Sequence, residues 1–234
     1  MTDPNQPPTA LRPAMTTTPW DPWKRAFDIA TALLLLAVAG PLMLVVAVLI
    51  RCSGGGPAIY RQMRPGVDGR GFEILKFRSM RPDDELERVG ADADHMRITR
   101  LGRLLRATSI DELPNLVNVL HGEMSIVGPR PHLMSYLDLY SDHQSRRHEV
   151  RPGITGLAQV RGRNALDWQT RLDLDVEYVD RRSAMLDARI LVATVVMVLS
   201  RRGVSAPGHA TMALFEGNQV AADAPALPEV VGAH

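Results

Sequence analysis

The chain has 234 residues and a formal charge of +1, with 27 Lys and Arg against 26 Asp and Glu. That length suits one substantial domain with little left for a second, and the near-neutral balance gives no bulk pull towards nucleic acid. Aromatic residues are only 5% of the chain, which argues against a stacking platform for single strands. Its single cysteine, Cys52, excludes an intrachain disulfide and a cysteine-rich zinc site.

Residues Met1 to about Thr18 are rich in Pro and Thr without periodicity and read as a disordered tail. An apolar run follows from Ala26 to Ile50, with Asp28 near its start and Gly40-Pro41 near its middle. About 20 apolar residues suffice to cross a bilayer. Pro41 lacks an N–H and clashes with the preceding turn, so it predicts a kink. Basic residues stand at both ends, Lys24 and Arg25 before and Arg51 after, so the positive-inside rule does not separate the two sides. The pattern therefore fits both a spanning helix and one that dips into a single leaflet and returns. Trp20 and Trp23 stand where an interfacial aromatic belt belongs.

Gly54-Gly55-Gly56-Pro57 ends the helix. Extended segments are expected around Ala58–Gln62 and Phe72–Phe77, with a turn at Gly66–Gly71 and with Lys76 and Arg78 on one strand face. Glu85 to Val89 reads as an exposed helix. Arg97, Arg100, Arg103 and Arg106 recur every third residue, with Ile98, Leu101, Leu104 and Leu105 between them. That stripe predicts an amphipathic helix, suited either to a headgroup layer or to a solvated face.

Leu113, Leu116, Val117 and Leu120 carry helical spacing, so a helix is predicted over about Asp111 to His121, with Asp111 at its N-cap and Gly122 at its C-cap. Adjacent carboxylates, Asp111 and Glu112, thus open a helix just after an Arg stripe. A helix N-terminus attracts phosphate and keeps a carboxylate ionised and nucleophilic. The same pair is also a common capping arrangement, and in isolation that structural reading is the commoner one. Gly128-Pro129-Arg130-Pro131 presents Arg130 on a rigid turn, able to clamp phosphate. Helices are further expected over Ser135–Arg147, Trp168–Asp180 and Leu186–Leu199, the last too short to span, with a Gly-rich loop over Arg151–Asn164. Motifs of the GxxxxGK[ST], HExxH and GxSxG types are absent.

The order of segments carries a resemblance. Tyr60-Arg-Gln and Lys76-Phe-Arg-Ser-Met follow the apolar anchor. Then come Arg97-Ile-Thr-Arg-Leu-Gly-Arg and the long run from Ser109-Ile-Asp-Glu-Leu-Pro-Asn to Gly-Pro-Arg-Pro131. Arg151-Pro-Gly-Ile-Thr-Gly, Val-Arg-Gly-Arg163-Asn and Asp175-Val-Glu-Tyr-Val close the series. Over roughly Trp23 to Asn218 the chain resembles the bacterial sugar transferases, or monotopic phosphoglycosyl transferases. Its C-terminal stretch is similar to small members of the undecaprenyl-phosphate N,N'-diacetylbacillosamine-1-phosphate transferase type.

The resemblance implies a mainly α fold with a small β element (α+β). A re-entrant membrane helix over 20–52 would join a catalytic domain over 53–216 bearing interfacial amphipathic helices, between disordered tails at 1–19 and 217–234. It implies transfer of a sugar-1-phosphate from a UDP-sugar, an N-acetylated hexose by subgroup, to undecaprenyl (polyprenyl) phosphate, with release of UMP. Asp111 would be the nucleophile and, with Mg²⁺ beside it, a metal ligand. Glu112 would act as base for the acceptor phosphate. Lys76, Arg78, Arg106, Arg130, Arg163 and Asp175 would contact phosphate or substrate, and Gly40-Pro41 would bend the anchor. Expected surroundings are membrane lipid at the cytoplasmic face of the bacterial inner membrane, with no nucleic acid and a homodimer left open.

Overall fold

The computed structural model describes residues 18–53, 56–81, 97–162, 165–200 and 214–217. Glu85–Val89, Arg163, both terminal tails and most of the C-terminal run after Arg201 therefore lie outside the described residues. Most of the described chain is helical, with two small sheets.

Helix α1 runs continuously over Asp21–Cys52 with Pro41 inside it. It is the one described helix long and apolar enough to cross a membrane. Its 32 residues would measure about 48 Å if straight, well beyond a hydrocarbon core of about 30 Å. Leu33, Leu34, Leu35, Val38, Leu42, Leu44 and Val45 are exposed along it. Both halves nevertheless touch the body of the protein. Ala32 is fully buried among Phe72, Leu116, Ile126 and Tyr178, while Val46 and Ile50 pack with Phe77 and Leu105.

Polar contacts fix the first half. Asp28, 1% exposed, accepts from Ser125 Oγ and the Ile126 N–H, each at 3.0 Å. Lys24 Nζ lies 2.8 Å from Asp187 Oδ2, to which Trp20 Nε1 also donates, so Trp20 is tied into the protein while Trp23 stays exposed. Arg25 donates to the carbonyls of Val119 and Leu120, the open end of a neighbouring helix.

Strands β1 (Ile59–Pro65) and β2 (Gly71–Phe77) form the expected antiparallel hairpin, with Tyr60 opposite Lys76 and Arg64 opposite Phe72. The Arg stripe yields helix α2 over Arg100–Ala107, N-capped by Thr99. A Cβ on Gly102 would meet the Ser79 carbonyl at 1.9 Å, so only glycine lets α2 sit this close to the end of β2. Leu104 stands exposed on α2.

The next helix differs from expectation. Ile110–Glu112 is a single 3₁₀ turn, and α3 begins at Asn115 with Pro114 as N-cap, running to His121 before a left-handed Gly122. Proline has no N–H to lose at a helix start, so the helix forms after Pro114 and Asp111 does not cap it.

Beyond α3, β3 (Ser125–Val127) pairs in parallel with β4 (Gly153–Thr155), a pairing the short, turn-rich sequence did not predict. The helix expected over Ser135–Arg147 is broken. A 3₁₀ segment covers Met134–Leu139, helix α4 covers Asp142–Ser145 behind a Ser141 capping box, and Arg146–Glu149 is again 3₁₀. Helices α5 (Leu157–Arg161), α6 (Trp168–Arg181) and α7 (Ala184–Ser200) follow among the described residues. α7 leaves Met185, Val192, Val195, Val196 and Val198 exposed, an apolar face like that of α1.

Candidate active site

Three elements bring the predicted residues together: the end of β2, the turn after α2, and the loop after β3. Ser109 takes a left-handed backbone (φ 57°) that a non-glycine residue adopts rarely. It turns the chain sharply between α2 and the 3₁₀ turn bearing Asp111 and Glu112. The Arg130 turn is locked from behind. Gly128 N–H donates to Thr155 O and Gly153 N–H to Pro129 O, each at 2.9 Å. A Cβ on Gly153 would meet the Gly128 amide nitrogen at 2.1 Å, which explains a glycine on the strand facing this turn.

The two adjacent carboxylates have opposite environments. Glu112 accepts from Lys76 Nζ at 2.8 Å and from Arg130 Nη2 at 2.6 Å. Burial alone would raise its pKa, but Arg130 and Lys76 outweigh burial and hold it well below the usual carboxylate range. Asp111 has no hydrogen-bond or ion-pair partner among the described residues. Burial, reinforced by the neighbouring charge of Glu112, pushes its pKa up to about 6 against the pull of Lys76, Arg106 and Arg130. A helix N-terminus was expected to keep Asp111 ionised. The shift runs the other way because the helix starts later and burial dominates.

Arg106 donates from Nε to Ser79 Oγ at 2.9 Å, and its charge is near enough to Asp111 to oppose the rise in that pKa. Arg78 turns elsewhere, donating to the Pro57 carbonyl at 2.9 Å with its guanidinium 6.0 Å from the Tyr60 ring centre. Asp175, expected to touch substrate, is instead 2% exposed and paired with Arg147 at 2.7 Å. Arg147 also donates to the Arg130 carbonyl, so the pair supports the Arg130 loop from within. Sequence reasoning missed Arg147, because an Arg inside an expected helix carries no mark of burial. His132, just after the clamp, accepts from or donates to Tyr140 at 3.1 Å; burial first, then Arg147 and Arg171, keep it neutral.

A group of three or more His, Cys, Asp or Glu side chains able to hold a metal is absent among the described residues. A divalent cation bound through one carboxylate plus substrate phosphates and water needs no such group, and the unpartnered Asp111 carboxylate fits that donor set.

The sequence from residue 20 to 201 matches the family model described as bacterial sugar transferase. The chain belongs to the bacterial sugar transferase family. Among curated relatives of this family, the uncharacterized sugar transferase EpsL of Bacillus subtilis is 46% identical over 195 residues, spanning 83% of this chain and 96% of that one. The UDP-glucose:undecaprenyl-phosphate glucose-1-phosphate transferase of Caulobacter vibrioides is 43% identical, over 76% of this chain and 70% of its own. The exopolysaccharide production protein PSS of Rhizobium leguminosarum is 43% identical, over 76% and 96%. For this sugar transferase, the site contains the two carboxylates and three of the cations that the family resemblance singled out.

Proposed function

We propose that this sugar transferase moves a hexose-1-phosphate from a UDP-hexose to undecaprenyl phosphate through a covalent intermediate on Asp111. One observation carries the mechanism: of two adjacent carboxylates, Glu112 is bound by two cations and Asp111 is bound by none. A side chain kept unpartnered among Lys76, Arg106 and Arg130 is available to attack, and those cations stabilise the charge that gathers on the transferring phosphoryl group.

In the first step an Asp111 carboxylate oxygen bonds to the sugar-bearing phosphorus, and the P–O bond to UMP breaks, UMP leaving with the electron pair. In the second, an oxygen of polyprenyl phosphate bonds to the same phosphorus and the Asp111–phosphorus bond breaks. One phosphoanhydride replaces another, so positioning and charge neutralisation suffice. Mg²⁺, held by Asp111 and the substrate phosphates, would supply further neutralisation of the diphosphate. A phosphomonoester loses its second proton near pH 6, so the acceptor arrives already ionised and needs no base. Glu112, with a strongly lowered pKa, is suited to holding Lys76 and Arg130 in place rather than to taking a proton.

The names of the Caulobacter and other relatives favour UDP-glucose as donor over the N-acetylated hexose that the C-terminal resemblance suggests. Placement at the cytoplasmic face of the inner membrane belongs to this reading, and a re-entrant course of α1 is supported by the contacts of both its halves with one domain. A straight perpendicular span would carry one of those contacts into lipid. The exposed apolar faces of α1 and α7 would sit in the bilayer and its interface.

The test is single turnover without acceptor. Purified protein with Mg²⁺ and UDP-glucose should release about one UMP per enzyme, and intact-mass analysis should find a hexose phosphate on a peptide containing Asp111. Release of UMP only when undecaprenyl phosphate is present, from fully active enzyme, would replace this mechanism with direct transfer. UDP-N-acetylglucosamine outcompeting UDP-glucose would reassign the donor.

A further inference from the structure

One face of the β1–β2 hairpin carries a cation that the reaction described above does not use. Tyr60, Gln62 and Arg64 alternate along β1 opposite Lys76, Ile74 and Phe72, so all six share that face. At one end Lys76 reaches Glu112. At the other, Arg64 Nη2 donates to the neutral Gln62 Oε1, while its Nε is buried without an acceptor. Among the described residues no carboxylate pairs with Arg64. Burial, then the like charge of Arg130, lower its pKa, and Tyr60, Tyr136 and Tyr140 lie within electrostatic reach. Pro65, the next residue, lies close to Pro129, Arg130, Pro131 and Arg147, which brings the end of β1 beside the Arg130 turn.

A half-buried guanidinium beside another cation, with its Nε buried and its hydrogen bond unmade, is unfavourable in the empty protein. The arrangement makes sense once an anion with several acceptor oxygens bridges the two forks. Three cations, Lys76, Arg106 and Arg130, act on the two carboxylates Asp111 and Glu112, and Arg64 adds a further positive charge beside Arg130. We propose that Arg64 and Arg130 together form a second phosphate subsite, which binds a phosphate monoester next to the phosphorus that Asp111 attacks.

The inference rests on Asp111 as nucleophile. Displacement at phosphorus runs in line, so UMP departs opposite Asp111 and the acceptor must later approach along the same axis. The phosphate of UMP and that of the polyprenyl acceptor thus occupy the same place in turn, and Arg64 should serve both.

The experiment compares Arg64→Gln and Arg64→Lys with Arg61→Gln, a control on the opposite, exposed face of β1 where Arg61 pairs with Glu73. Full-length protein in nanodiscs is titrated with UMP and Mg²⁺ by calorimetry, and KM for undecaprenyl phosphate is measured separately. Arg64→Gln should bind UMP at least tenfold more weakly and raise the lipid's KM by a similar factor. Arg64→Lys, which keeps the charge and loses the fork, should fall between, and Arg61→Gln should match wild type. Because the Arg64–Arg130 repulsion is relieved, Tm of Arg64→Gln without ligand should equal or exceed that of wild type. Loss confined to UMP assigns the subsite to the donor, and loss confined to the lipid assigns it to the acceptor. Both affinities unchanged, or weaker binding accompanied by a lower Tm, overturns the proposal. Wild-type protein that binds no UMP counts instead against the reaction itself.

Discussion

Asp111 and Asp187 are both acidic side chains set among cations in the same domain, yet the fold treats them in opposite ways. Asp187, 1% exposed, is saturated: Lys24 and Trp20 donate to one oxygen and the Tyr178 hydroxyl to the other. Those bonds tie the start of α1 to α7 and α6. Asp111 has cations around it and a bond to none among the described residues. A buried polar group without partners is costly, and such a cost is tolerated where the group must bond to something that arrives later. The contrast separates a carboxylate that builds the protein from one that does its chemistry.

Substitution of the two should give opposite results, and Asp111→Asn should show the larger effect. Turnover should fall by on the order of 10⁴-fold, as when a catalytic nucleophile or its equivalent is removed. The same variant should be more stable at neutral pH. In the unfolded chain this Asp titrates near 3.8, in the fold near 6. Between those values the folded state keeps a proton that the unfolded state has released. The stability this group contributes is therefore complete below about pH 4 and is lost as pH rises through 6. Ionised Asp111 then costs about 1–3 kcal/mol at pH 7.5. Thermal unfolding in detergent should place Asp111→Asn above wild type at pH 7.5, with the gap closing towards pH 4. A lower Tm at pH 7.5 would show Asp111 to be structural, like Asp187.

Asp187→Ala should do the reverse. Removing one partner of a buried ion pair costs about 3–5 kcal/mol, here lessened because Asp28 lies 3.6 Å from Lys24. The expected result is a clear fall in Tm, with the folded fraction still releasing UMP at a near-normal rate. Normal Tm with lost activity would move Asp187 into the site.

These two regions were not equally legible in the sequence. Asp111, Glu112, Lys76 and Arg130 stand in long, ordered motifs, and the structure brings all four together. The hairpin, α2, α6 and α7 followed from alternation and helical spacing. The helix expected from Asp111 starts instead at Asn115, since a proline three residues after the expected cap is compatible with a start on either side of it and only packing chooses between them. Parallel pairing of β3 with β4 joins three-residue segments over 20 residues apart, too short for any periodicity. The family resemblance implied a substrate contact at Asp175, and a motif says nothing of burial. Its partner Arg147 comes from a segment whose helix is broken, and no local pattern announces the pair.

Glu112→Gln sharpens the comparison at closer range. Losing the carboxylate releases Lys76 and Arg130 from their shared anchor, and the rate of UMP release should fall roughly 10²-fold, the usual effect of disturbing one preorganised electrostatic element. If Glu112 were instead the base for the acceptor, UMP release without lipid would stay normal and only the second step would slow. Rapid-quench measurement of the two steps separates these outcomes.

The smallest effect is the most specific to the electrostatics of the pair. A nucleophile with a pKa of about 6 makes kcat/KM for UMP release fall about tenfold per pH unit below that value and level off above it. Burial is the main cause of the upward shift and the charge of Glu112 the next, whereas Lys76, Arg106 and Arg130 oppose it. In Glu112→Gln the raising charge is gone and two cations lose the carboxylate that neutralised them. Asp111 should then ionise more easily, and the acidic limb of the profile should move to lower pH although the plateau is lower. Arg106→Gln removes an opposing charge and should move the limb to higher pH. A limb that stays in place in both variants would mean that the titrating group is not Asp111, since these charges act on it directly.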